Sequence, residues 1–166
     1  MNAEDYLSIR PTPTPAKSDT SPHDVFLSLQ RLVLALNQEV ADLLKTRGLS
    51  APQFNILRIL RGARAEPEGE TGLACSEIGA RLLTHAPDLT RLLDRMAAQG
   101  LVVRARAPSD RRVVAARITE KGLALLAELD APLTALHTEQ LGHLGPERLG
   151  QLRMLLEAAQ PKQRPR

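Results

Sequence analysis

The fold turns on Leu89-Thr90-Arg91-Leu92-Leu93-Asp94-Arg95-Met96. Leu89, Leu92, Leu93 and Met96 recur at i, i+3, i+4 and i+7, the spacing of one face of an α-helix. At 100° per residue, Pro87, Arg91, Asp94, Arg95 and Ala98 point the opposite way, with Asp88 and Thr90 on the flanks. A helix held down by four large aliphatics and turning Arg and Thr outward is suited to the major groove of a duplex. Arg91 lies almost opposite the apolar stripe, where a guanidinium can make a bidentate contact to guanine. In isolation the same residues also fit an ordinary surface helix in which Asp88, Arg91 and Asp94 form i, i+3 ion pairs. The flanking segments separate the two readings.

Working outward, Pro87 is placed in the first turn of this helix, and Gly100 stands where a helix commonly stops. Upstream, the spacing predicts a short helix over 75–83 with Ile78, Leu82 and Leu83 buried, joined by a turn through Thr84-His85-Ala86. Downstream, residues 101–106 and 113–118 are strand-like and flank the turn-rich Pro108-Ser109-Asp110-Arg111-Arg112, which predicts a hairpin. Two short helices, a tight turn and a hairpin with a basic tip make a winged helix-turn-helix. Arg at such a tip meets the enhanced negative potential of a narrow minor groove; Asp110 beside it is expected to pair with an Arg and fix the shape of the wing.

The rest of the chain supplies helices. Over 24–46, Val25, Leu29, Leu32, Val33, Leu36, Val40, Leu43 and Leu44 share a face, whereas Leu27 and Leu34 fall opposite; a helix apolar on two sides must bury both. One side can meet its own domain and the other asks for a partner chain. Gly48 ends it. Ser50-Ala51-Pro52-Gln53 is a capping box opening a helix with Phe54, Ile56, Leu57, Ile59 and Leu60 as its core, stopping near Gly62. Residues 65–72 read as an exposed acidic loop. Thr119 caps a last Leu-rich region, which Pro132 is expected to kink or split, with Asp130 capping the second piece. Gly145-Pro146 separates a final helix over 147–159 with Leu149, Leu152, Leu155 and Leu156 on one stripe. The Pro-rich residues 1–22 and the last six, 161–166, read as disordered tails.

Composition narrows the function. The 166-residue chain carries a net charge of +3, and between Arg81 and Arg112 there are seven Arg against three Asp, a local +4 that leaves −1 elsewhere. A basic patch on a near-neutral body is the footprint of a polyanion binder. With no Trp, one Tyr and two Phe, the chain lacks the aromatic platforms of single-strand readers. A single cysteine, Cys75, suits a reducing cytosol; no membrane-length apolar run or secretory signal is seen, so a cytoplasmic location is expected. Cys75 sits near a helix N-terminus, which can activate a thiol for redox sensing, but a small, partly buried filler is the reading the sequence favours. His23, His85, His137 and His143 do not form a ligand set, and no cofactor, metal or catalytic constellation stands out, so an enzyme is not expected.

The run from Leu89 to Met96, with Gly100-Leu101-Val102, Asp110-Arg111-Arg112, Ile118-Thr119-Glu120-Lys121-Gly122 and, upstream, Leu49-Ser50-Ala51-Pro52-Gln53-Phe54, resembles the multiple-antibiotic-resistance regulator (MarR) family over roughly residues 25–160. The resemblance implies a mainly α fold with a small β-hairpin wing, a homodimer whose N- and C-terminal helices interlock, and recognition helices in successive major grooves of a pseudo-palindromic operator. It implies a transcriptional regulator, often a repressor that releases double-stranded DNA when a small phenolic or anionic effector binds. On this reading residues 23–47 and 119–160 are dimerisation helices around a winged helix-turn-helix lobe at 49–118. The DNA-contacting set is His85, Pro87, Asp88, Thr90, Arg91, Arg95, Arg106, Asp110, Arg111 and Arg112. Two departures are visible: Ala74 stands where Ser or Thr often caps the first helix of the motif, leaving Glu77 without its box partner, and His85-Ala86-Pro87-Asp88 replaces a Ser/Thr-rich lead-in. The rival reading is a winged-helix module for protein–protein contact, its basic face meeting an acidic partner. Affinity for duplex against salt separates the two, because phosphate contacts give a steep loss.

Overall fold

The computed structural model describes residues 21–64, 72–82, 88–106 and 114–160. The elements run α1 (Pro22–Lys45), α2 (Ala51–Arg64), β1 (Leu73–Ala74), α3 (Cys75–Arg81), α4 (Leu89–Ala98), β2 (Val102–Arg106), β3 (Val114–Ile118), α5 (Glu120–Leu141), a 3-10 turn (Gly142–Leu144) and α6 (Gly145–Ala158). The chain divides into two compact units, residues 1–35 and 36–166.

In the first unit the described residues are the start of α1. Ser21 and Asp24 close a reciprocal cap: the Asp24 carboxylate accepts from the Ser21 amide at 3.1 Å, and the Asp24 amide donates to Ser21 Oγ at 3.2 Å. The helix therefore begins at Pro22, inside the expected tail. Hydrogen bonds from Ser21 hold the Asp24 carboxyl below the usual carboxylate range. Val25, Phe26, Leu32, Val33 and Leu34 are exposed.

The second unit is built on one apolar cluster. α2 supplies Ile56, Leu57 and Leu60, α3 supplies Ile78, α4 supplies Leu93 and Met96, and α5 supplies Leu126, Leu129 and Leu133. α2 opens on the expected box, the Ser50 amide donating to Gln53 Oε1 at 2.9 Å. It continues past Gly62 to Arg64 because Ala63 is buried; a helical glycine costs only about 1 kcal/mol. The hairpin pairs β2 with β3 from Val102↔Ile118 to Arg106↔Val114. A third strand, absent from the sequence reading, adds β1 to the free edge of β3 through Leu73↔Ala116 and Ala74↔Ala115, giving the order β1-β3-β2.

Pro132 does not split the last Leu-rich region: α5 is one helix with the proline inside it. Leu126 and Leu129 before it and Leu133 after it are all buried on the same core, and burial at about 1.5–3 kcal/mol per large aliphatic offsets the ~3 kcal/mol an interior proline costs. Asp130 does not cap a second piece either, because its carboxylate is gripped by the Arg61 fork at 2.8 and 3.1 Å.

α5 starts at a crowded junction. Thr119 Oγ1 accepts from the Gly122 amide at 3.0 Å and donates to Gly100 O at 2.7 Å. A Cβ on Gly122 would lie 2.5 Å from Leu101 O and 2.8 Å from Ile118 Cγ1. Helix propensity alone favours Gly122→Ala by about 1 kcal/mol, whereas overpacking against a backbone oxygen costs about 1–3 kcal/mol. The clash is expected to win: Gly122→Ala should lose about 1 kcal/mol in urea denaturation, and a gain in stability would show that the junction opens freely.

Candidate nucleic-acid interface

α4 carries the candidate site. Leu93 and Met96 are buried, and Leu89 and Leu92 are half-buried against the core, so the whole predicted stripe faces inward. The last turn closes as the glycine pattern requires: the Gly100 amide donates to Ala97 O at 2.9 Å and the Leu101 amide to Met96 O at 3.0 Å, with Gly100 at φ +71°. This pair of hydrogen bonds at a left-handed glycine ties off carbonyls that would otherwise be orphaned. Among the described residues α4 begins at Leu89, with Asp88 as its N-cap at a non-helical φ of −125°.

Thr90, Arg91, Asp94 and Arg95 are exposed on the outer side of α4. Arg91 Nη1 lies 3.3 Å from Asp88 Oδ2, yet its side chain remains 80% accessible. An exposed pair of this kind contributes at most about 1 kcal/mol, so the guanidinium can exchange Asp88 for a phosphate or base edge. Arg95 makes no ion pair among the described residues. Asp94 does not join Arg91 or Arg95; its Oδ1 accepts from Arg104 Nη1 on β2. Arg106 ends β2 and is exposed. Thus Asp88, Thr90, Arg91 and Arg95 are exposed along α4, and Arg106 is exposed at the end of β2. His85, Pro87, Asp110, Arg111 and Arg112 lie outside the described residues.

Cys75 opens α3, half-buried, with Sγ 3.7 Å from Thr90 Oγ1. Ala74 offers no side-chain cap, but its amide still donates to Glu77 Oε2 at 2.6 Å, so half of the box survives. Among the described residues no group of three or more His, Cys, Asp or Glu could hold a metal ion, and no helix is long and apolar enough to cross a membrane.

Two side chains that anchor α4 escaped the sequence reading. Gln53 spends Oε1 on its helix cap and donates Nε2 to Gln99 Oε1 at 3.2 Å; Lys121 Nζ donates to Gln99 O at 2.8 Å. Both link α4 to residues more than 20 positions away, and nothing in a local pattern announces such partners.

A MarR family model matches residues 47–113. A MarR transcription factor from Planctomyces limnophilus is 38% identical, with 86% of this chain and 100% of that one covered at a TM-score of 0.63. The chain belongs to the MarR family. Further relatives agree with it. The HTH-type transcriptional regulator MhqR of Bacillus subtilis is 28% identical over 125 residues, 70% of this chain and 81% of its own length. A mutant of MarR from E. coli, complexed with operator DNA, is 26% identical with a TM-score of 0.68 over 86% of this chain and 100% of that chain. The fold is accordingly the mainly helical MarR winged helix-turn-helix with a small three-stranded antiparallel sheet, and the family is one of transcriptional regulators, not enzymes.

Gln53 tests the seating of α4. Gln53→Leu removes both the cap and the grip on Gln99, and is expected to cost about 1–2 kcal/mol. Amide exchange at Gln99–Leu101 should speed up selectively; exchange that rises uniformly over the chain would show that Gln53 serves only global stability.

Proposed function

We propose that this MarR-family chain acts as a homodimer that binds a pseudo-palindromic double-stranded operator and represses transcription, with α4 of each protomer in the major groove. One observation carries the reading: the aliphatic side of α4 is seated on the core while Thr90, Arg91 and Arg95 stand exposed on the other side. The complex of E. coli MarR with operator DNA supports it from outside. Arg91 and Arg95 read or clamp the groove, Asp88 holds Arg91 until DNA replaces it, Thr90 and Arg106 contact the backbone, and His85 and Pro87 border the helix start. The Asp110-Arg111-Arg112 segment serves the adjacent minor groove.

Residues 49–118 act as the DNA lobe, residues 23–47 and 119–160 as the dimerisation helices, and 1–22 and 161–166 as tails. Met154, Leu155 and Leu156, exposed on α6, supply apolar surface that a second copy would cover, as do, separately, the apolar side chains exposed on α1. Release by a small effector belongs to the same proposal. A cavity of about 620 Å³ lies where the end of α2, the sheet and the start of α5 meet, lined among others by Leu60, Arg64, Val103, Ile118 and Glu120. Its volume falls in the usual range for small-molecule sites, and it borders the proposed lobe and dimerisation region, where an occupant could alter half-site spacing. A cytoplasmic location goes with this function.

The test begins with a duplex selected by the wild-type protein from a random-sequence pool. Arg91→Ala should weaken binding to it roughly 10- to 100-fold while affinity for a scrambled duplex falls far less. Equal loss on both would reduce Arg91 to a phosphate contact. Affinity should also drop steeply with salt; absence of duplex binding at low salt would instead favour the protein-contact module. Sedimentation should find a dimer, and Leu155→Glu with Leu156→Glu should give monomers that bind the selected duplex roughly 100-fold more weakly. A variant still dimeric would move the interface off α6.

A further inference from the structure

Asp94 is an anomaly on the surface just described. It places a carboxylate between Arg91 and Arg95 on the side of α4 meant for a polyanion, where its charge opposes binding. Its partner explains its presence. Arg104 belongs to β2, its backbone in register with Ala116 of β3, and Ala116 in turn pairs with Leu73 of β1. Arg104 is thus held at the midpoint of β2, an outer strand of the sheet, and its side chain is only 21% accessible. From this anchored position its guanidinium reaches Asp94 Oδ1.

The geometry points to a positioning role: we propose that the Asp94–Arg104 pair sets the roll of the recognition helix in the groove, so that Asp94 contributes to sequence discrimination without touching DNA. The inference rests on the DNA-binding function proposed above. Leu93 and Met96 fix which side of α4 faces inward, but an aliphatic seat resists small rolls weakly because dispersion contacts are individually small and non-directional. At the ~6 Å radius of a helix's side-chain surface, a roll of about 20° moves an outward tip by about 2 Å, more than the geometry of a bidentate hydrogen bond tolerates. A charged hydrogen bond off the helix axis, anchored in the sheet, opposes that roll. Arg104 lies two residues before Arg106 on the same strand, so the pair also ties the major-groove helix to the root of the wing.

Two variants that change charge in opposite directions isolate the pair. Asp94→Asn removes a negative charge, and Arg104→Met removes a positive one while keeping the aliphatic stem that packs on the sheet. Both are measured by fluorescence anisotropy on the duplex selected by wild type and on its scrambled form, after circular dichroism shows native helix content. The expected result is the same for both: the ratio of selected to scrambled affinity falls at least about tenfold, even though Asp94→Asn holds or gains affinity for the scrambled duplex. If Asp94→Asn tightens binding to both duplexes equally and Arg104→Met weakens both equally, each with an unchanged ratio, charge alone acts and the positioning role is overturned. If wild type itself shows no preference between the two duplexes, the base-reading function fails, and this inference falls with it.

Discussion

The seating of α4 on Leu93 and Met96 is the constraint on which the rest depends. Ten residues are too few for a stable helix in water, where about 12–15 are marginal even for favourable sequences. α4 is helical because its underside is buried and because the chain beyond it is locked: Gly100 turns left-handed, Leu101 returns into the core, and Thr119 and Lys121 grip the carbonyls of Gly100 and Gln99. Stability therefore comes almost wholly from one side of the helix and from its C-terminal end. Apart from Asp94, which Arg104 engages, the outer side carries little of that stability, and Thr90, Arg91 and Arg95 stand exposed on it.

Arginine is deployed in two ways across the second unit. Along the junction of α2 with α5, Arg61 and Arg64 are matched to Asp130 and Glu120, and Arg47, just before α2, to Glu128, at 2.8–3.1 Å. There the guanidinium groups are spent on holding two helices together. Around α4 the matching is deliberately incomplete. Asp88 and Asp94 engage Arg91 and Arg104, while Arg95 and Arg106 have no ion-pair partner among the described residues. The local positive charge is thus a clustering of arginine, seven between Arg81 and Arg112 against three Asp, in a chain whose 22 Lys and Arg nearly balance its 19 Asp and Glu.

What could be read from sequence was whatever is written within about seven residues. The stripe from Leu89 to Met96, the Ser50–Gln53 box, the Thr119 cap and the left-handed Gly100 are all of this kind, and each stands as read. The failures share a cause. β1 is two residues long, too short for any alternation, and exists only because β3 offers an edge. The continuity of α5 through Pro132 is decided by leucines packing against α2, outweighing a local rule. Gln53 to Gln99 and Asp94 to Arg104 join elements separated along the chain or divided by a turn, so side chains that looked like a cap and a surface charge acquired second roles. The site shows the same split: the outward residues of α4 were legible, whereas what orients them was not.

The dimer proposed for this chain also follows from a limit on what one such helix can read. Specific duplex binding exceeds non-specific binding by about 4–10 kcal/mol. A well-made bidentate contact supplies about 1–3 kcal/mol of discrimination, and α4 exposes two arginines, of which Arg91 is best placed for a base edge. One protomer therefore falls short of the specificity a regulator needs, however well its helix is seated. Two copies related by a two-fold axis double the reading surface at no cost in new chemistry and require the operator to repeat about one helical turn away. In the proposed dimer, burial of the apolar side chains exposed on α6 would stabilise that pairing, so what leaves the single chain incompletely covered would be what makes so short a helix sufficient.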